Sequence, residues 1–467
     1  MLRTKLIAPY QPAGVAWLTQ RERSAEYPGG FLCDEMGLGK TVQLLATMIA
    51  NPMSRTLIVV PKSIVSQWVS EITKFAPHFV VHVFDGPKRT GPLFKPGAQN
   101  ITIAPYSVVG DGTLAFWAWD RVILDEAHEI RNKAAKTHKD LLEIRTRVRW
   151  IVTGTPVFNS VRDFVALAAF LGIPQSHVQA YLPDIRAKYV LRRTKEDLGA
   201  KLQLPTCDFE NVELEMHPEE SQLYSDVFLR AQGIVREIFR QGNQAMHQMA
   251  ILEALLRVRQ AMAWPQLYLD GVARKDGADP EPWTGRSKKH ETLMAFLQSH
   301  PTEKSLVFTQ FMGEMDRIQD LVHGAGIPVF RIDGGVDKDQ RAMRIAGFKK
   351  YPGGAVFLIQ IKAGGVGLNL QEATRVYITT PAWNPATELQ AIARSHRTGQ
   401  KNNVFVRKLI YVGQETLPSI EQSIMQLQGH KAQVCAQVLN DPRLEQQIPT
   451  LPKSKITVQS VKKIFSV

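Results

Sequence analysis

The stretch FLCDEMGLGKT, residues 31–41, carries residue types that bind nucleotide phosphates. Its end, Gly39-Lys40-Thr41, fits the phosphate-loop pattern G-x-x-x-x-G-K-[ST], with Asp34 in place of the first glycine. In that role the backbone N–H groups of the loop, Asp34, Gly37, Leu38 and Gly39 among them, would cradle phosphate oxygens together with the following helix N-terminus. Lys40 would neutralise β/γ-phosphate charge and Thr41 would hold Mg²⁺ through its hydroxyl. A second group is RVILDEAH, residues 121–128. There Asp125 would take Mg²⁺ in its second shell, and Glu126 would polarise the water that attacks the γ-phosphate in line. An acidic helix start would also place Asp and Glu together, but it does not account for the apolar run ending at Asp125. WIVTGTP, residues 150–156, is again an apolar run entering a turn. Gly154 and Thr155 stand where a sensor of the phosphate state would be, though ordinary loop chemistry reads the same way.

Two stretches in the second half add to this. AGGVGLN, residues 363–369, places Gly365 and Gly367 where backbone must approach something closely. QAIARSHRTGQ, residues 390–400, puts Gln390, Arg394 and Arg397 at i, i+4 and i+7, one face if the segment is helical. Two guanidiniums on one face call for an anion, and a triphosphate is the candidate. Arginines in that role supply about 10³–10⁵ in rate.

These residues need parallel strands to hold them. Short β-branched and aliphatic runs recur at 56–60, 100–104, 121–124 and 150–152, and again at 305–308, 328–332, 355–359 and 375–379. Near-continuous apolar strands alternating with amphipathic helices predict α/β lobes, each with a parallel sheet covered on both faces. Between them residues 219–259 read as long and helical, and 270–289, rich in Gly, Pro and charge, as a linker. The expected organisation is a first lobe over 1–205, a helical insertion and linker over 206–285, a second lobe with a C-terminal brace helix over 286–440, and a basic tail over 441–467.

The 467-residue length allows two or three domains. Lys and Arg exceed Asp and Glu by 57 to 44, a net +13. That charge fits either a solvated basic surface or a polyanionic partner. Cys33, Cys207 and Cys435 lie far apart and form no C-x-x-C pair, which argues against a disulfide framework or structural zinc site and for a reducing compartment. No uncharged apolar stretch approaches the roughly 18–20 residues that span a bilayer, and the N-terminus lacks a signal-like apolar run. The expectation is an intracellular protein that needs no membrane: nuclear in a eukaryote, cytoplasmic in a prokaryote or a cytoplasmic virus.

Taken in order, PYQPAGVAWL, DEMGLGKT, VVPKSIVSQW, LDEAHEIRN, TGTPVFNS, LRRTKEDLGAKLQLP, LLRVRQAMAWP, LVFTQF, RIDGGVDKDQR, KAGGVGLNL, WNPATELQAIARSHRTGQ and IEQSIMQLQGHK resemble the motifs of the Swi/Snf family of superfamily-two DNA translocases. The resemblance runs from about residue 8 to residue 431. It implies two RecA-like lobes, ATP and Mg²⁺, and makes Asp34 a family trait. It further implies that Gln11 contacts adenine, that Lys40, Thr41, Asp125 and Glu126 act as above, and that Arg394 and Arg397 are arginine fingers, with Gly365, Gly367 and Gln390 on the nucleotide. Lys62, Ser63, Gly154, Thr155, Thr309, Gln310, Lys362 and Trp383 lie in segments that line the DNA groove or couple it to ATP. TGTP and the LRRTKEDL insert separate the chain from RNA helicases, which implies movement along double-stranded DNA without strand separation. The expected partners are duplex DNA, nucleosomes among the candidate substrates, and targeting proteins around a monomeric motor. A branched-DNA repair motor and a catalytically weak DNA-bound scaffold stay open as alternatives. Departures from the family pattern are residues 261–265 (AMAWP), Gln360 in the second-lobe strand, and Pro418, which delays the brace helix to Ser419.

Overall fold

The computed structural model describes the chain apart from residues 1, 8, 88, 92–93, 131, 155–160, 203, 243–246, 365–367, 415–416, 440–460, 462–463 and 466–467; for 128, 200–201, 338, 363–364 and 430–439 it describes backbone only. The chain forms two compact units, whose main bodies are Met1–Leu204 and Pro205–Ala432. Both are parallel α/β sheets, the fold class expected.

The first unit holds β1 (Gly29–Leu32), β2 (Arg55–Val60), β3 (Val80–Val83), β4 (Asn100–Pro105), β5 (Trp119–Asp125), β6 (Thr146–Val152) and β7 (Val190–Leu191) in the order β3-β4-β2-β5-β6-β1-β7. Every pairing is parallel. β1 and β4 are buried at every residue, as strands covered on both faces must be. Parallel strands need crossovers, supplied here by helices such as α2 (Lys40–Ala50) and α3 (Val65–Phe75), while α1 (Tyr10–Glu22) precedes the first strand. At the end of α1, Glu22 takes both Arg121 Nε and Nη2 at 2.6 Å and Trp150 Nε1 at 2.9 Å, fixing α1 to β5 and β6. The strand order then does the functional work. β5, β6, β1 and β7 are consecutive neighbours, so the segments leaving their carboxyl ends lie side by side, where open α/β sheets bind ligands.

The second unit holds β8 (Cys207–Leu214), β9 (Ser305–Thr309), β10 (Val329–Ile332), β11 (Val356–Gln360), β12 (Arg375–Ile378) and β13 (Val404–Tyr411), in the order β10-β11-β9-β12-β13-β8. All pairings are parallel. The strands expected from apolar runs are all present. β3, β7, β8 and β13 were not anticipated: β7 is two residues long, and β8 is an edge strand, largely exposed, without a buried run. The expected single helical stretch over 219–259 is two helices, Pro218–Arg240 and Gln248–Ala263. The first ends at Arg240, and Gly242 with φ 71° cannot continue it. The expected linker begins within a helix, Pro265–Asp276, closed by Gly277 at φ 68°. The C-terminal helix starts at Ile420, and Ser419 caps it, its Oγ accepting from Gln422 N at 3.3 Å. Gln360 accepts from Gly334 N at 3.2 Å. Among the described residues no helix is long and apolar enough to cross a membrane.

Candidate nucleotide site

β1 runs into the loop at residues 33–39, and α2 starts at Lys40. Gly39, at φ 76° and ψ 42°, caps α2 in the left-handed region, and Gly37 has φ 91°. Side chains other than glycine are strained there, which explains Gly-Leu-Gly. A Cβ on Gly39 would also lie 2.6 Å from Gln11 Nε2. Leu38 is fully buried and its carbonyl accepts from Tyr10 OH at 3.0 Å and Gln11 Nε2 at 3.2 Å. Gln11 Oε1 accepts from Ile7 N at 2.8 Å, so this amide ties the segment before α1 to the loop. Lys40 Nζ donates to the carbonyl of Asp34 at 2.7 Å and of Glu35 at 3.5 Å. Thr41 sits half-buried in the first turn of α2.

Asp125 ends β5. Its Oδ1 accepts from Glu126 N at 2.9 Å and its Oδ2 from Trp68 Nε1 at 2.8 Å, while its carbonyl takes Tyr106 OH at 2.9 Å. Burial, then the neighbouring Glu126 charge, pushes its carboxyl up to about 6, against the pull of Trp68 and Lys40. Lys40, at the start of α2, and Asp125, at the end of β5, thus feel each other's charge. Glu126 has φ 48°, one of two non-glycine residues with positive φ among those described. Such backbone strain persists only where the surroundings over-determine it, and it clusters at functional sites. Gly154 lies against the loop: a Cβ there would come 3.1 Å from Met36 Cγ. Thr155 lies outside the described residues.

The donor set fits a Mg²⁺-nucleotide. Among the described residues no three His, Cys, Asp or Glu side chains gather as a metal cage. Mg²⁺ in phosphate sites asks for less, one or two carboxylates with phosphate oxygens and waters. Asp125 would supply the carboxylate and Thr41 a hydroxyl, and a bound cation would favour the ionised form that burial disfavours.

In the second unit the expectation of one helical face for Gln390, Arg394 and Arg397 does not hold. The helix Pro385–Ile392 ends first, capped at Ala393, and both arginines follow in turns. Side chains pull the chain out of the helix: Ser395 Oγ donates to Ala373 O at 2.5 Å, and Gln400 Nε2 to Gln371 O at 2.9 Å. Gly399 has φ 98°. Gln390 is half-buried within the helix. Gly365 and Gly367 lie outside the described residues.

Of the residues expected on the DNA side, Lys62, Ser63 and Lys362 are exposed. Lys62, its side chain 72% exposed, makes a long 3.9 Å ion pair with Asp85. Thr309 is fully buried with its hydroxyl on Phe311 O at 3.4 Å. Gln310 is engaged inside its unit, Nε2 donating to Pro381 O at 2.5 Å and Oε1 accepting from Arg259. The Arg259 guanidinium lies 4.9 Å above the Trp383 ring.

Four contributors were not singled out from the sequence: Trp68 on Asp125, and Gln43, Arg192 and Arg193 on the loop. Trp68 sits in VVPKSIVSQW and the arginines in LRRTKEDL. The available signal was two adjacent arginines leaving a strand-like VL, although Glu196 and Asp197 just downstream offered nearer acidic partners than Asp34.

Residues 10–181 match the SNF2-related domain and residues 288–399 the helicase conserved C-terminal domain. A probable global transactivator of Orgyia pseudotsugata multicapsid polyhedrosis virus is 28% identical, over 98% of this chain and 94% of that protein. An uncharacterized ATP-dependent helicase of Mycoplasma pneumoniae is 30% identical, over 92% of this chain and 42% of that protein. The chain therefore spans nearly all of the viral relative and less than half of the bacterial one. A Sulfolobus solfataricus SWI2/SNF2 ATPase core in complex with dsDNA is 26% identical, with 99% of this chain and 97% of that chain covered at a TM-score of 0.42.

Proposed function

Since the chain belongs to the SNF2 family of superfamily-two helicase-like ATPases, we propose that it hydrolyses Mg²⁺-ATP to move along double-stranded DNA and displace or remodel bound protein, nucleosomes among its candidate substrates. The observation that carries this reading is the meeting of Lys40, Asp125 and Glu126 at the carboxyl edge of one parallel sheet, with Lys40's charge acting on a buried Asp125. When bound, Mg²⁺ neutralises phosphate charge during transfer. The chain's own residues do the rest. The backbone at Gly37–Gly39 and the start of α2 grip phosphate oxygens, Lys40 balances their charge, and Glu126 orients the attacking water. In this reading Arg394 and Arg397 supply guanidiniums to the developing γ-phosphate charge, and exposed Lys62 and Lys362 meet the DNA backbone.

The test is ATP hydrolysis with and without duplex DNA, over a series of DNA lengths. Turnover should rise on adding duplex and rise further with its length. Equal rates with and without DNA would sink the motor reading. Glu126→Gln should lower kcat by about 10²–10⁴ while nucleotide affinity stays within a factor of two. Nucleosomal and forked templates then separate remodelling from a branched-DNA motor.

A further inference from the structure

We propose that Arg193 is a positioning residue for the phosphate loop, acting on the nucleotide through Asp34; the inference rests on the ATP-site reading above. Asp34 is fully buried. Its Oδ1 accepts from Arg193 Nε at 2.9 Å, and its Oδ2 from Arg193 Nη2 and from Gln43 Nε2, the latter at 3.1 Å. The same guanidinium donates through Nη1 to Tyr10 O and through Nη2 to Gln43 Oε1 at 2.6 Å, and lies 5.2 Å from the centre of the Tyr10 ring. One planar fork thus ties the loop, α1 and α2 together, which a lysine ammonium cannot imitate.

The backbone repeats the grip. Cys33 N donates to Leu191 O at 2.7 Å and Glu35 N to Arg193 O at 2.8 Å, extending the β1–β7 ladder into the loop. Arg192 Nη1 donates to Cys33 O at 2.9 Å and Gly154 O at 3.2 Å, and Lys195 N donates to Glu35 Oε2 at 2.8 Å. The segment 191–195 therefore borders residues 33–35 along their length. The link to the nucleotide is Lys40: its ammonium sits on the carbonyl of Asp34, the residue whose side chain Arg193 holds. A rotation of Asp34 would move Lys40 and the glycine N–H groups with it. Asp34 stands where the phosphate-loop pattern has glycine because a side chain there is what Arg193 grips.

Gly14 makes room for this fork. A Cβ on Gly14 would lie 2.1 Å from Gln43 Oε1 and 2.7 Å from Arg193 Nη2. Glycine inside a helix is intrinsically unfavourable, and its missing side chain is the space the guanidinium fills.

The experiment uses the full chain with Arg193→Lys, Gly14→Ala and, as reference, Lys40→Ala. It measures the affinity of a fluorescent ATP analogue, kcat and KM on duplex DNA, and the thermal transition. Arg193→Lys keeps the charge but loses the fork, and should weaken nucleotide affinity and raise KM by about tenfold or more, as expected for loss of a charge-assisted hydrogen bond. Gly14→Ala leaves both charges in place and improves helix propensity, yet should shift KM in the same direction. A merely structural role would lower the thermal midpoint and leave the affinity of the folded protein unchanged. Folded Arg193→Lys and Gly14→Ala proteins that bind nucleotide within twofold of wild type overturn the proposal. Should Arg193→Lys not fold, Gly14→Ala decides alone. A Lys40→Ala protein that binds and hydrolyses ATP like wild type instead overturns the ATP-site reading itself.

Discussion

Asp125 is held by two donors of different origin, the N–H of its own neighbour Glu126 and the indole of Trp68, 57 residues earlier. The second is the more informative, because it ties the carboxylate to α3 and so to the segment that begins at Lys62. Trp68 is almost fully buried, and its bond to a charged acceptor is of the stronger kind, about 1.5–3 kcal/mol. Trp68→Phe keeps the ring in the core and deletes only the donor. Asp125 then loses a group that favours its ionised form. The variant should need about tenfold more Mg²⁺ for half-maximal ATPase; a Mg²⁺ titration at fixed ATP checks it, and an unchanged half-saturation would remove Trp68 from the site. At this scale the sequence points to a residue wherever one residue type at one spacing has one chemistry, as for Lys40, Thr41, Asp125 and Glu126, whose proposed roles await the tests above. It was unreadable wherever the chemistry is a pairing. Arg193 meets Asp34 across 159 residues, and nothing local to either marks the other as its partner.

Among the elements, helix Met312–Gly324 of the second unit carries Glu314 with no exposed surface. Burial pushes its carboxyl up to about 7, although the charges of Lys289 and Arg259 hold it lower than burial alone would. The folded state therefore binds a proton that the unfolded chain, with an ordinary carboxyl near 4.5, releases sooner. Stability from this group is fully present below pH 4.5 and lost as pH rises through about 7. Glu314→Gln, always neutral, should match wild type near pH 4.5 and exceed it by up to about 3 kcal/mol above pH 7. Urea unfolding at several pH values measures this, and a stability difference that does not grow with pH would refute it. The elements themselves were legible where burial on both faces writes an unbroken apolar run, as in β2, β9 and β11. They were hidden where tertiary pairing makes the strand, as for the exposed edge β8 against β13. The arginine helix misled for a related reason: periodicity at 390, 394 and 397 continued on paper, while the hydrogen bonds of Ser395 and Gln400 ended the helix at Ile392.

For the whole molecule, a net charge of +13 is a statement about partners and says nothing of fold. A charge of that size suits a polyanionic partner such as DNA. A protein that tracks a DNA backbone exchanges condensed counterions for lysines and arginines, so log affinity falls linearly with log salt, with a slope of about −0.9 per phosphate neutralised. Six such contacts would cost about 10³ in affinity between 50 and 200 mM salt. Affinity should also vary little among duplex sequences of equal length, because phosphates carry no base identity. Lys62 is the natural probe, since its 72% exposure and long 3.9 Å pair with Asp85 leave its charge facing solvent. Lys62→Ala should weaken binding equally on all sequences and reduce the magnitude of the salt slope by about one. Fluorescence anisotropy on two unrelated duplexes across a salt series measures the slope, the sequence dependence and the Lys62 contribution together. A slope near zero would mean that the basic surface is only solvated, and that the +13 had been read for more than it is worth.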